Sequence, residues 1–262
     1  MANAVVIIDA QNDFCTPGGA LYVPHAEDDC GRLARWIMQN QCGIDCIHMT
    51  LDTHPYYHIA HPVFWKDAEG NHPAPYTIIT YSDYAAGTYV PVDASLSQYA
   101  GEYLMSLEAR GRYQLTIWPP HCLVATPGYC IEERVWQAVH EWEKASAGKT
   151  IDFVIKALNF RTEHYSAIQA EVPDPHDTQT RTNFAFIENI KDADTIVFAG
   201  EALSHCVANT LQDLSQHIPY SKMVLLTDCA SNVAGFEQTG EAFLEQARSK
   251  GLTAVSSAEF RL

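Results

Sequence analysis

Asp9, Lys156 and Cys206 each stand at or just beyond the end of an apolar run, and their side chains differ in chemistry. Cys206 follows Val197-Phe198-Ala199-Gly200. It precedes Val207, Thr210, Leu211 and Leu214, which repeat at helical spacing. That pattern predicts a strand-to-helix turn with Cys206 in the first helical turn. Backbone N–H groups and the positive end of the helix dipole favour a thiolate at such a place. A cysteine nucleophile needs a base to take its proton and a cation to hold its charge. Asp9 is the candidate base and Lys156 the candidate cation. Each also has a plain structural reading: a buried cysteine, an aspartate capping a loop, an exposed lysine.

A second group is Asp52, His54, His58 and His121. Carboxylate and imidazole are ligands for zinc, iron or manganese. His54 and His58 are four residues apart, so one helical turn would put them on one face. The plain alternative is a polar loop in a chain that has 12 histidines. His25, His48, His61 and His72 lie outside the group and show that a histidine here need not be a ligand.

Elements that could position these residues are legible in the pattern. Ala4 to Ile8 is a continuous apolar run ending at Asp9, as suits a parallel strand buried on both faces. Cys30, Leu33, Ala34, Ile37 and Met38 line one helix face. Ile44 to Leu51 reads as a second strand delivering Asp52. Residues 59 to about 92 lack a clear period and are rich in Pro, Gly, Tyr and His. Leu96, Tyr99, Ala100, Tyr103, Leu104 and Leu107 predict a helix. Tyr113 to Trp118 reads as a third core strand leading to His121. A helix near Ile131 to Trp142 follows, then strands at Ile151 to Ile155, Thr195 to Ala199 and Met223 to Thr227. A long polar loop fills 157 to 182, Phe236 to Ser249 is helical, and Leu252 to Val255 is a short last strand. Alternating strands and helices predict a doubly wound, mostly parallel α/β sheet of about six strands with helices on both faces. Ligands in such sheets bind at the carboxyl ends of strands, where Asp9 would sit.

The composition narrows the classes. A chain of 262 residues, 47% of them hydrophobic, suits one large domain or one domain with an insertion. The net charge of −16 argues against nucleic acid and anionic membranes as partners. Eight cysteines without a Cys-x-x-Cys pair, and a start directly on a strand, suggest a reducing, cytoplasmic setting. No apolar run reaches the roughly 20 residues of a membrane span.

In its motifs the sequence resembles the nicotinamidases, within the isochorismatase-like cysteine hydrolases. The resemblance rests on Ile8-Asp9-Ala10-Gln11-Asn12-Asp13-Phe14-Cys15 with Pro17-Gly18-Gly19-Ala20-Leu21, and on Asp52-Thr53-His54-Pro55 with His58. It continues through Trp118-Pro119-Pro120-His121-Cys122 with Thr126-Pro127-Gly128, Lys156 with Tyr165-Ser166, Ala202 to Cys206, and Thr227-Asp228-Cys229-Ala230. These stretches keep the family's order from the first strand to the last helix. The resemblance implies an Asp9, Lys156, Cys206 triad and one divalent metal ion, most simply zinc, with iron or manganese as alternatives, held by Asp52, His54, His58 and His121. It implies that the metal holds the pyridine nitrogen while the thiolate does the chemistry. Phe14, Trp118 and Tyr165 match positions walling the ring pocket. Ala202 matches a residue at a non-proline cis peptide whose N–H joins that of Cys206 in the oxyanion hole. The implied reaction is hydrolysis of nicotinamide to nicotinate and ammonia, a step of NAD salvage.

The departures concern the substrate. Thr53 stands where the family usually has an aromatic residue, and Leu203-Ser204 replaces the usual Thr-Asp. The segment from about 59 to 115 is far longer than in compact members of the family. With Tyr56 and Tyr57 just before it, it carries Phe64, Trp65, Tyr76, Tyr81, Tyr84 and Tyr89. It is expected to cover the pocket or to form a subunit contact in a homo-oligomer. Three other readings stay open. The chain is a cysteine hydrolase acting on another carboxamide, a metal hydrolase in which Cys206 is structural, or a non-catalytic binding protein. Four protein ligands disfavour a tetrahedral catalytic zinc, and an intact triad disfavours a mere binder.

Overall fold

The computed structural model of the chain describes residues 2–262. Six parallel strands form the main sheet: β1 (Asn3–Ile8), β2 (Cys46–Asp52), β7 (Asp152–Lys156), β8 (Thr195–Gly200), β9 (Met223–Leu226) and β10 (Thr253–Val255), in the order β10-β9-β8-β1-β2-β7. The two central strands, β1 and β8, are apolar and buried after their first residues, Asn3 and Thr195. Side chains alternate across a strand, so unbroken burial means that both faces of the sheet are covered. After the short α1 (Asn12–Cys15), the cover comes from α2 (Ala26–Asn40), α5 (Glu133–Ala145), α7 (Ala208–Leu214) and α8 (Glu237–Ser249). Among these, α2 packs against α5, and α7 against α8. This is the doubly wound architecture expected from the pattern.

Strand β1 lies between β2 and β8, where the order of connection reverses. Its register against β8 brings Ile8 opposite Gly200. Gly200 has a φ of +113°, and a Cβ there would lie 2.0 Å from the Ile8 carbonyl oxygen, so only glycine can end β8 in this way.

Two sequence expectations differ from the structure. Residues 113–118 are not a core strand. Only β6 (Leu115–Thr116) is extended, and it pairs antiparallel with β4 (Ile78–Ile79), outside the main sheet. The apolar run there, Leu115 to Trp118, is buried with its backbone tied to Ile78, Ile79, Thr77 and Ala60 instead of to the main sheet. A short helix, α6 (Phe184–Ile190), follows the long loop and has no counterpart in the predicted elements.

The segment from 59 to 115 also holds β3 (Trp65–Lys66) paired with β5 (Val90–Pro91), and the helices α3 (Tyr81–Ala85) and α4 (Ser97–Arg110). Most of its rings turn inward. Phe64 and Trp65 are fully buried, and Tyr57, Tyr81, Tyr84 and Tyr89 pack partly against the core, while Tyr56 and Tyr76 stay exposed. Its anchorage reaches the 160–165 loop. The Tyr103 hydroxyl accepts the Glu163 N–H at 3.1 Å, and Tyr99 donates to the Arg161 carbonyl at 3.1 Å. No helix among the described residues is long and apolar enough to cross a membrane.

Candidate active site

Four adjacent strands, β8, β1, β2 and β7, end on the same edge of the sheet. Their carboxyl ends deliver Cys206, Asp9, Asp52 and Lys156. Asp9 follows β1 directly with left-handed backbone at φ +43°. Ala157 and Cys122, which follow Lys156 and His121, also have positive φ. Such conformations persist in non-glycine residues only where the surroundings enforce them.

Lys156 is the centre of the arrangement. Its Nζ lies 2.9 Å from Asp9 Oδ2, 2.7 Å from Asp52 Oδ1, 3.0 Å from the His164 carbonyl oxygen and 3.6 Å from Cys206 Sγ. All four side chains are buried. Burial by itself would lower the lysine's pKa, but Asp52, Asp9 and Cys206 outweigh it and hold the ammonium charged. Burial raises the Asp9 carboxyl, while Lys156 and the Thr50 hydroxyl oppose the rise. Burial pushes the Cys206 thiol well up, Lys156 works against it, and the negative charges of Asp9 and Asp52 work with it. The resting sulfur is therefore held as a thiol beside the Asp9 carboxyl and the Lys156 ammonium.

Cys206 sits in a π-helical turn, Leu203–Val207, that runs on into α7. The peptide bond between Glu201 and Ala202 is cis. The Val207 and His205 N–H groups both donate to the Ala202 carbonyl, at 3.1 and 3.0 Å.

The imidazole group lies beside Asp52. Asp52 Oδ2 is 3.2 Å from His121 Nε2 and 3.4 Å from His54 Nδ1. His54 and His58 do meet, with ring centroids 4.5 Å apart. They meet through an irregular turn rather than the helix that their spacing suggested. The two rings are not equivalent as donors. His58 Nδ1 accepts the Ala60 N–H at 3.2 Å and its Nε2 donates to the Thr162 carbonyl at 3.2 Å, so both nitrogens are engaged. His61, which its sequence context left as a bystander, donates from Nδ1 to the Tyr56 carbonyl at 3.1 Å. That bond leaves a lone pair on its buried Nε2, which has no partner. Both nitrogens of His54 are likewise buried without a hydrogen-bond partner. One nitrogen from each of His54, His61 and His121 falls within a 4.8 Å group, and so does a second set, His54, His58 and Glu163. Burial pushes His54 down to about 3 and His61 to about 2, so both are neutral and available as ligands. Ligating histidines commonly hand their other N–H to a carbonyl or carboxylate, as His61 and His121 do here. Unpartnered buried nitrogens next to a carboxylate fit a divalent metal, and an N/O donor set suits zinc, iron or manganese.

The ring-pocket positions divide. Trp118 Nε1 donates to the Tyr165 hydroxyl at 3.0 Å, and both rings pack on His205, 5.4 and 5.2 Å away. Phe14 stands edge-on to His121 at 5.3 Å. Several supporting residues carried no separate signal in the sequence. The Gln11 side-chain amide pairs with both the N–H and the carbonyl of Asp52, at 2.7 and 2.8 Å. Asp13 accepts the Cys122 N–H at 2.7 Å, which fixes the backbone after His121. Gly128 is required beside it, because a Cβ there would run into the Asp13 carboxylate. The Gln-Asn-Asp run after Asp9 held these two residues in plain view. His61, Glu163 and His205 are placed only by the tertiary contacts.

Known proteins resemble the chain in sequence and in fold. No family model matches the chain. The nicotinamidase of Saccharomyces cerevisiae is 26% identical over 222 residues, covering 85% of each chain. Solved structures with the same fold include the yeast nicotinamidase, with a TM-score of 0.68 at 19% identity, covering 97% of this chain and 99% of that one. An Acinetobacter baumanii nicotinamidase/pyrazinamidase has a TM-score of 0.65 at 20% identity, covering 98% and 97%. A Pyrococcus horikoshii pyrazinamidase, solved in complex with zinc, has a TM-score of 0.56 at 20% identity, covering 98% and 99%. The chain is therefore similar in sequence to a nicotinamidase and shares the fold of these solved nicotinamidases and pyrazinamidases.

Proposed function

We propose that the chain is an amidohydrolase that converts nicotinamide to nicotinate and ammonia through a thioester on Cys206. The observation that carries this reading is the convergence of Asp9, Asp52 and Cys206 on the buried ammonium of Lys156, beside an imidazole cluster. Asp9 takes the Cys206 proton, and Sγ attacks the carboxamide carbon while Lys156 holds the growing negative charge. The N–H groups of Ala202 and Cys206 receive the oxyanion. The C–N bond breaks as Asp9 returns the proton to leaving ammonia. Asp9 then takes a proton from water, hydroxide attacks the thioester carbon, and the acid leaves as sulfur recovers its proton.

Asp52, His54, His61 and His121 would hold the divalent metal, with His61 in place of His58. His58 would first have to give up its bond to Thr162. When bound, the ion supplies a coordination position for a ring nitrogen. Trp118, Tyr165 and Phe14 form the walls for the ring. The eight free cysteines suit a reducing compartment.

The test is ammonia release from nicotinamide, pyrazinamide and benzamide by the metal-loaded protein. Benzamide lacks the ring nitrogen, and sites built around a polar partner reject such analogues by roughly 10⁴-fold. Equal rates on all three would remove the metal from recognition. No turnover of any would overturn nicotinamide as the substrate.

A further inference from the structure

Cys206 is buried, so a substrate can reach it only by displacing something. The residue before it, His205, is boxed in by four rings. Tyr113 stacks on His205 at 5.5 Å, Phe236 meets it edge-on at 4.7 Å, and Trp118 and Tyr165 close the remaining sides. Trp118 and Tyr165 are buried, whereas Tyr113 and Phe236 are half-exposed. On their outer side lies a hollow of about 420 Å³, lined also by Ile78, Arg112, Gln114 and Thr116. That volume lies within the ~300–1,000 Å³ usual for ligand clefts.

Tyr113 closes the insertion and is tied to the nucleophile's own segment. Its hydroxyl donates to the Ser204 carbonyl at 3.3 Å and accepts from Asn209 Nδ2 at 2.8 Å. Its neighbour Arg112 pairs with Asp213 at the end of the same helix. The insertion therefore ends on the turn that holds Cys206. Phe236 comes from the far side, in the loop before α8, next to Gly235 at φ +86°.

A second cavity of about 530 Å³ touches Lys156 from the side of Leu158, His164 and Phe184. Access from there would displace a buried ammonium from two carboxylates. Access past Tyr113 and Phe236 displaces these neutral rings, the neutral His205 ring on which they pack and two neutral hydrogen bonds, which is the lesser cost.

We propose that substrate reaches Cys206 through the hollow at Tyr113 and Phe236, and that these two rings are the size filter at its floor. The proposal deepens the amidohydrolase reading and rests on it for the nature of the substrate. Its test does not need turnover. Alkylation of Cys206 by iodoacetamide and by the bulkier N-phenylmaleimide is followed by peptide mass spectrometry in the wild type, Tyr113→Ala, Phe236→Ala, Tyr113→Phe and Leu158→Trp. In the two alanine variants the bulky reagent should gain about tenfold or more over the small one, the scale of selectivity a pocket wall exerts. Tyr113→Phe, which keeps the ring, and Leu158→Trp, which fills the other cavity, should leave the ratio as in the wild type. Phe236→Ala removes a half-exposed ring and keeps the test alive should Tyr113→Ala fail to fold. An unchanged ratio in Phe236→Ala and in any folded Tyr113→Ala, or a slowing of both reagents by Leu158→Trp, overturns the proposal. Nicotinamide turnover is recorded alongside. Turnover with an unchanged ratio sinks the filter alone, and a shifted ratio without turnover sinks the substrate alone.

Discussion

Glu171 should make this protein less stable as pH rises toward 8, and Glu171→Gln should abolish that loss. The carboxyl is 1% exposed, and neither of its oxygens has a hydrogen-bond partner. The nearest cation, Arg112, is 3.8 Å away and already engaged with Asp213. Burial pushes the acid up to about 7, Arg112 only partly opposes this, and Asp213 adds to it. In the unfolded chain it titrates near 4.5. The folded form therefore holds its proton over a pH range where the unfolded form has lost it. Stability is unaffected well below 4.5, falls as pH rises through the gap, and levels off above about 7. The gap corresponds to a loss of about 3 kcal/mol. Glutamine reproduces the neutral acid and cannot ionise. Glu171→Gln should match the wild type at pH 4.5 and exceed it by about 3 kcal/mol at pH 8. In a chain of this size that is about 6–12 °C in Tm. Thermal unfolding of both proteins across pH 4.5–8 is the assay. An equal Tm difference at every pH, or a variant less stable at pH 8, would refute the reasoning.

Other substitutions test the site itself. Cys206→Ala should lower kcat by about three or more orders of magnitude with the melting temperature little changed, and substantial turnover in the folded variant would end the cysteine mechanism. His61→Ala should weaken metal binding by about 100-fold or more, while His58→Ala, whose ring nitrogens are engaged elsewhere, should weaken it by less. Titration with zinc read by elemental analysis distinguishes them, and the reverse order would restore His58 as the ligand. Lys156→Met leaves Asp9 and Asp52 buried without their cation and should cost about 3–5 kcal/mol, a loss that denaturant unfolding at pH 7 would show or exclude.

Much of the fold and of the candidate site was readable along the chain because it depends on short-range patterns. Ala4 to Ile8 and Val197 to Gly200 read as buried parallel strands because every residue is apolar, and such strands end where ligands bind. That placed Asp9 and Cys206 on one edge, and the strand read at Ile151 to Ile155 added Lys156 to it. The tertiary structure decided what spacing does not encode. His58 has the four-residue spacing from His54 that suggests a shared face, yet the loop turns its nitrogens to Ala60 and Thr162. His61, seven residues from His54, has a buried Nε2 without a hydrogen-bond partner and lies against the His54 ring. Residues 113–118 have the composition of a core strand. Only Leu115 to Trp118 are buried, and Leu115 and Thr116 pair with Ile79 and Ile78, a long-range pairing without a local signature. Tyr113 and Phe236 are 123 positions apart by number and meet the same imidazole only because the insertion folds back on the nucleophile turn. Residue type and local period determine which groups can do chemistry and which strand ends carry them. Which nitrogen is free, which ring faces the nucleophile and which charge lacks a partner depend on chain segments meeting across the fold.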